Sequence, residues 1–152
     1  MKNQQLHLDQ LERKLSPYGK ANKSARPEIG WIRTIRKSLG MSLEQLGRKM
    51  GLSKQSIQNM EKRETTGAIT ISALNEVAKA LDMELVYGFV PKGGSVMHLV
   101  EEKAKKMATE IVLRTSQNMR LEDQSLPYKR IEKAIAERTQ EILKELPKSL
   151  WD

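Results

Sequence analysis

The chain has no cysteine, so a disulfide, a thiolate nucleophile and a cysteine-ligated zinc site are all excluded, and a reducing compartment suits it. Histidine occurs only as His7 and His98, and aspartate only as Asp9, Asp82, Asp123 and Asp152. Those scattered residues leave little from which to build a metal site or an acid–base pair, and no HExxH, GxSxG, P-loop or GxGxxG motif occurs. The glutamates sit mostly among lysines and arginines at helical spacings, the pattern of surface pairs. Neither an enzyme nor a metal or other cofactor is expected. Aromatic residues make up only 4% of the chain, with few prolines and glycines. The recurring residues are Ala, Leu, Glu, Lys, Gln and Met, a composition that favours helices over a sandwich or barrel. No apolar run approaches the roughly 18 residues of a membrane span. The opening MKNQQLHLDQLERKL is too polar for a signal-peptide core, so a soluble, cytoplasmic protein without a membrane segment is expected.

What is present is charge, unevenly placed. The 152 residues are 38% apolar with a net charge of +8, enough for one small helical core with extensions. Residues 1–63 hold 14 Lys and Arg against 5 Asp and Glu, residues 64–94 hold 2 against 4, and residues 95–152 hold 11 against 10. The excess lies in the N-terminal part, where it suits phosphate neutralisation. The mixed signs of the C-terminal part suit a solvated helix surface or a partner.

Residues 41–63, MSLEQLGRKMGLSKQSIQNMEKR, read as two short helices joined by a tight turn. Ser42, with Gln45 three residues on, makes a capping box, and Leu43, Leu46 and Met50 share one face of the helix it starts. Gly51 ends that helix, because glycine enters left-handed backbone space without strain, and Ser53 caps the next. In the second helix Ile57 and Met60 turn inward, while Lys54, Gln55, Ser56, Gln58 and Asn59 form an outer polar face. Such a pair is the unit with which many proteins read DNA, the second helix entering the major groove by its N-terminal end. Gln and Asn pair with adenine and Lys with guanine. Lys54, Gln55, Ser56 and Asn59 are therefore the expected base contacts, with Lys54 also open to a phosphate. Arg36, Lys37, Ser53, Gln58 and Lys62 are the expected phosphate contacts. The plainer alternative is a helical hairpin whose polar face is only solvated. The spacing resembles the phage-repressor/Cro family of helix-turn-helix domains, which places core, turn, core and a terminal acid where this chain has Leu46, Gly51, Ile57 and Glu61. That resemblance implies double-stranded DNA as the partner.

Around this unit, residues 2–15 predict an amphipathic helix with Leu8, Leu11 and Leu15 on one stripe and Leu6 beside it. It is too short to stand alone, so it must dock on the globule or on another protomer. Residues 16–30, with Pro17, Gly19, Pro27 and Gly30 and the basic Lys20, Lys23 and Arg26, predict a linker, either plainly solvated or laid on DNA as an arm. A helix follows over 31–39, with Trp31, Ile32, Ile35 and Leu39 apolar, Trp31 reading as core rather than as a stacking residue, Arg33, Arg36 and Lys37 exposed, and Gly40 closing it. Residues 61–67 predict a polar loop, and Ser72 caps a helix with Leu74, Val77, Ala78 and Leu81 inward, completing a DNA-binding bundle over 31–82. In 83–91 the alternation of Met83, Leu85, Tyr87 and Phe89 with Glu84, Val86, Gly88 and Val90 predicts a strand ended by Pro91. A lone strand needs a partner, either residues 69–71 or the same strand of a second chain. Leu85, Val86 and Tyr87 are thus expected to pair in a homodimer that reads an inverted-repeat operator.

Residues 95–152 predict a helical hairpin. Residues 95–118 carry Val96, Val100, Ala104, Met107 and Ile111 on one stripe, and residues 127–146 carry Tyr128, Ile131, Ile135, Ile142 and Leu146. Docking on the bundle, support of a dimer and capture of another protein all remain open for it. Leu150 and Trp151 read as a tail anchor, or as a partner site if Trp151 is exposed. The expected fold is mainly α: a phage-repressor-like helix-turn-helix bundle with one short β-strand and a C-terminal helical hairpin.

Several stretches further resemble one family, called mobile mystery protein A: LDQLERKL (8–15), ARPEIGWIRTIRKSLGM (25–41), the 41–63 unit, ALNEVAKALDMELVYGFVP (73–91) and the closing Leu150-Trp151. Together they cover most of the chain. The resemblance implies the DNA-binding member of a two-gene unit whose other product carries a Fic domain, a fold that transfers AMP or related groups to proteins. It implies an autorepressing, antitoxin-like regulator with a Fic-domain protein as partner. Some Fic antitoxins inhibit through a helix bearing [Ser/Thr]-x-x-x-Glu-[Gly/Asn]. Here Ser72-x-x-x-Glu76 is followed by Val77, and Ser24-x-x-x-Glu28 contains Pro27 and is followed by Ile29, so neither completes the motif. The alternative function is a protein-interaction module, an antitoxin acting on a partner mainly through its C-terminal helices.

Overall fold

Nine helical elements follow one another along the described residues, 2–21, 26–121 and 127–152, of the computed structural model. Lys23 and Ser24 of the expected linker lie outside these residues. In chain order they are α1 (Lys2–Leu15), α2 (Tyr18–Ala21), α3 (Trp31–Ser38), α4 (Leu43–Met50), α5 (Lys54–Thr66), α6 (Ile71–Ala80), α7 (Val96–Leu121), α8 (Tyr128–Glu145) and a 3₁₀ turn, η1 (Lys148–Trp151). They divide into two units: residues 23–88, which hold α3 to α6, and the segments on either side, which hold α1, α2, α7, α8 and η1.

In the unit of residues 23–88, α3 to α6 enclose Ile32, Leu46, Ile57, Met60, Val77 and Leu81, with Ile35, Leu43, Met50 and Leu74 packed around them. Burying each such side chain contributes about 1.5–3 kcal/mol. The inward line of α3 runs through Ile32 and the buried Arg36. Trp31, expected in the core, is instead 47% exposed, because it lies about 100° round the helix from Ile32.

The second unit is built on the pairing of α7 with α8. Ala104 and Ala108, one turn apart and fully buried, keep the inner face of α7 low, and Ile142 of α8 and Leu150 of η1 pack on it beside Val100. Leu8 brings α1 onto the same cluster, and the α1 residue Glu12 accepts a hydrogen bond from the Val96 amide at 2.6 Å, capping the start of α7. Leu150 is buried whereas Trp151 is exposed. No helix among the described residues is long and apolar enough to cross a membrane.

Three further expectations need correction. The run 61–67 is no loop: α5 continues to Thr66 and ends at Gly67, because Glu61 and Glu64 are buried on its inner face in register with Ile57 and Met60. The cap of α6 is Thr70, whose hydroxyl accepts from the Ala73 amide at 3.1 Å, so Ser72 is already helical and 69–71 supplies no strand. The expected strand is also missing. Residues 83–90 form no ladder, no strand occurs among the described residues, and Val86, Tyr87 and Phe89 are exposed. Period-2 alternation sets which way side chains face, but a strand exists only where a second segment takes its backbone hydrogen bonds.

Candidate nucleic-acid interface

The turn between α4 and α5 is assembled from local chemistry. Ser42 closes both bonds of a capping box: its hydroxyl accepts from the Gln45 amide at 3.1 Å, and its own amide donates to Gln45 Oε1 at 2.7 Å. Gly51 ends α4 in the left-handed region at φ 67°. The Leu52 amide then returns to the Gly47 carbonyl at 2.8 Å, and Ser53 caps α5 by accepting from the Ser56 amide at 3.1 Å. The fold of this turn depends on Gly47. A β-carbon there would stand 2.6 Å from the Leu52 carbonyl oxygen, so the backbone of the turn lies where a side chain would be. Gly47→Ala should therefore destabilise by about 1–2 kcal/mol, the packing strain exceeding the roughly 1 kcal/mol gain in helix propensity. A rise in thermal midpoint instead would show that the turn yields freely.

The inner face of α5 buries Ile57, Met60, Glu61 and Glu64. The opposite face exposes Lys54, Gln55, Gln58, Asn59 and Lys62, with Ser56 half-buried. Gln55 Nε2 donates to Asn59 Oδ1 at 3.3 Å, one turn on, so the two amide side chains form one polar surface. The Ser53 and Ser56 hydroxyls lie 2.9 Å apart. Lys54 Nζ reaches back to Glu44 Oε1 of α4 at 2.9 Å, and the ammonium holds the exposed Glu44 carboxyl below the usual carboxylate range. Beside these residues lies an open cleft of about 410 Å³, lined among others by Arg33, Gln55, Gln58, Asn59 and Lys62.

Arg36 is placed differently from expectation. It is only 8% exposed; its Nε and Nη2 donate to Glu61 Oε1 and Oε2 at 2.6 and 3.2 Å, and its Nη1 donates to the Met41 carbonyl at 3.0 Å. A guanidinium committed to these partners is a core ion pair tying α3 to α5, not a free phosphate contact. Lys37 remains exposed on α3. Arg33, not among the expected contacts, is exposed and lines the cleft. Glu64 was also unforeseen. Its carboxylate accepts from the Trp31 and Ile32 amides at 2.6 and 2.9 Å, capping α3 across 32 residues of sequence because Gly30 has no side chain to do so. No linear spacing signals Glu64 or Glu44, since each meets its partner only after the helices pack.

This geometry agrees with sequence comparison. Residues 32–87 match the family model described as helix-turn-helix. They form a helix-turn-helix domain of the Cro/C1 type. In this helix-turn-helix, α4 and α5 are the two helices of the name, α3 and α6 complete its core, and a DNA-binding regulator is the function such a domain supports. No curated protein and no solved structure matches the chain.

Proposed function

We propose that the protein is a sequence-specific transcriptional repressor acting on its own operon, with α5 reading base edges in the major groove. The observation that carries this reading is the exposed row Lys54, Gln55 and Asn59 on a helix whose other face is fixed in the core. These side chains suit guanine and adenine, with Ser56 beside them as a shorter base contact. Lys37, Ser53, Gln58 and Lys62 contact the flanking phosphates, and Arg33 joins them in place of Arg36. Two copies associate through the exposed apolar residues Val86 and Tyr87, next to the half-buried Leu85, and so present two reading helices to an inverted repeat. The resemblance to mobile mystery protein A supports an antitoxin-like role beside a Fic-domain partner, in the cytoplasm. An adjacent reading frame encoding a Fic domain would strengthen that part.

Selection from a randomised duplex pool tests the proposal. Enriched sequences should be inverted repeats with half-sites about 34 Å apart, one turn of DNA. On the enriched duplex Gln55→Ala and Asn59→Ala should each cost about 1–3 kcal/mol and relax preference at particular base pairs. Lys37→Ala should weaken all sequences alike and flatten the salt dependence by about one phosphate contact. Equal loss on enriched and random DNA for Gln55→Ala would remove its base-reading role.

A further inference from the structure

Lys54 and Glu44 face one another at the end of α5 that enters the groove. The pair is 2.9 Å long, with the two side chains 58% and 53% exposed. An ion pair this open adds little to stability, and Glu44 already sits favourably in the first turn of α4, so stability does not account for the contact. Its consequence lies in what remains of the lysine. An ammonium has three donors and no acceptor. With one donor on Glu44, two are left, and guanine presents two acceptors, O6 and N7, on its major-groove edge. A phosphate approaching Lys54 meets the Glu44 carboxylate as well, which as an exposed glutamate is ionised at neutral pH. Guanine is uncharged and suffers much less repulsion.

We infer that Glu44 is a positioning residue that turns Lys54 from a phosphate contact into a guanine reader. This rests on the DNA-reading role of α5 proposed above. Glu44 directs the ammonium, lowers the attraction of this end of the helix for DNA of any sequence, and leaves the two donors that guanine accepts.

The test is selection from a randomised duplex pool by the full-length wild type, Glu44→Gln and Lys54→Ala, followed by titration of each protein with the enriched duplex and the unselected pool. The wild type should enrich guanine at one position of each half-site, and Lys54→Ala should lose that preference. Glu44→Gln should reduce it at least fivefold at that position alone, while binding the unselected pool several-fold more tightly and with a salt dependence steeper by about one phosphate contact. A merely structural role for Glu44 would change affinity without changing one base preference. Unchanged guanine preference in Glu44→Gln, or guanine retained by Lys54→Ala, would overturn the inference while leaving DNA reading by α5 intact. If the wild type enriches no sequence, the reading role itself fails, and this inference with it.

Discussion

Glu61→Ala should lower the stability of the helix-turn-helix unit by about 3–5 kcal/mol, the cost of removing one partner from a buried ion pair. The carboxylate takes two donors of Arg36 at 2.6 and 3.2 Å, and both side chains lie in the core between α3 and α5. Without Glu61 the guanidinium keeps its charge, loses its neutralising partner and retains only the Met41 carbonyl. Replacing both partners by apolar residues, Arg36→Met with Glu61→Leu, should restore most of the loss, because no charge is then left unpaired. Denaturant unfolding followed by Trp31 fluorescence in a Trp151→Phe background would report this unit rather than the other. A loss below about 1 kcal/mol for Glu61→Ala would mean that water replaces the partner, and the pair would then be an ordinary surface contact.

Glu64→Ala should cost about 1–3 kcal/mol, since it orphans the buried Ile32 amide, while the part-buried Trp31 amide can turn to water, and one buried unsatisfied donor costs about 1–3 kcal/mol. Glu64→Gln keeps one carbonyl oxygen facing the helix and should lose about half as much. The same unfolding assay separates the two variants. Equal losses would show that charge at the start of α3, rather than the number of satisfied amides, governs the effect.

These two glutamates mark where sequence reading stops. Ser42, Gln45, Gly51 and Ser53 could be read directly because capping and turn formation are settled within four residues of chain, and Ile57 and Met60 because helical periodicity separates an inner from an outer face. The stretch EKRETTG resembled a loop for the opposite reason: a buried glutamate has the composition of a surface one, and its environment is set by partners 25 residues away for Glu61 and 32 for Glu64. Arg36 is buried with Glu61, each charge neutralising the other, and neither residue type signals that burial by itself. Residues 83–90 carry a true alternation, yet a strand is a property of two segments and one sequence supplies one of them. Within the proposed reading surface, Gln55 and Asn59 are legible from residue type and helix register. The Lys54 contact with Glu44 depends on the turn that folds α4 back on α5.

Base reading by α5, as against mere attraction of phosphates, is tested most directly by affinity for an enriched duplex and for its scrambled counterpart, titrated between about 50 and 200 mM salt, where phosphate neutralisation weakens both by roughly parallel slopes. Base reading should leave the enriched duplex at least about 10³-fold tighter throughout. Equal affinities with one common slope would contradict it, because charge alone would then account for all the binding.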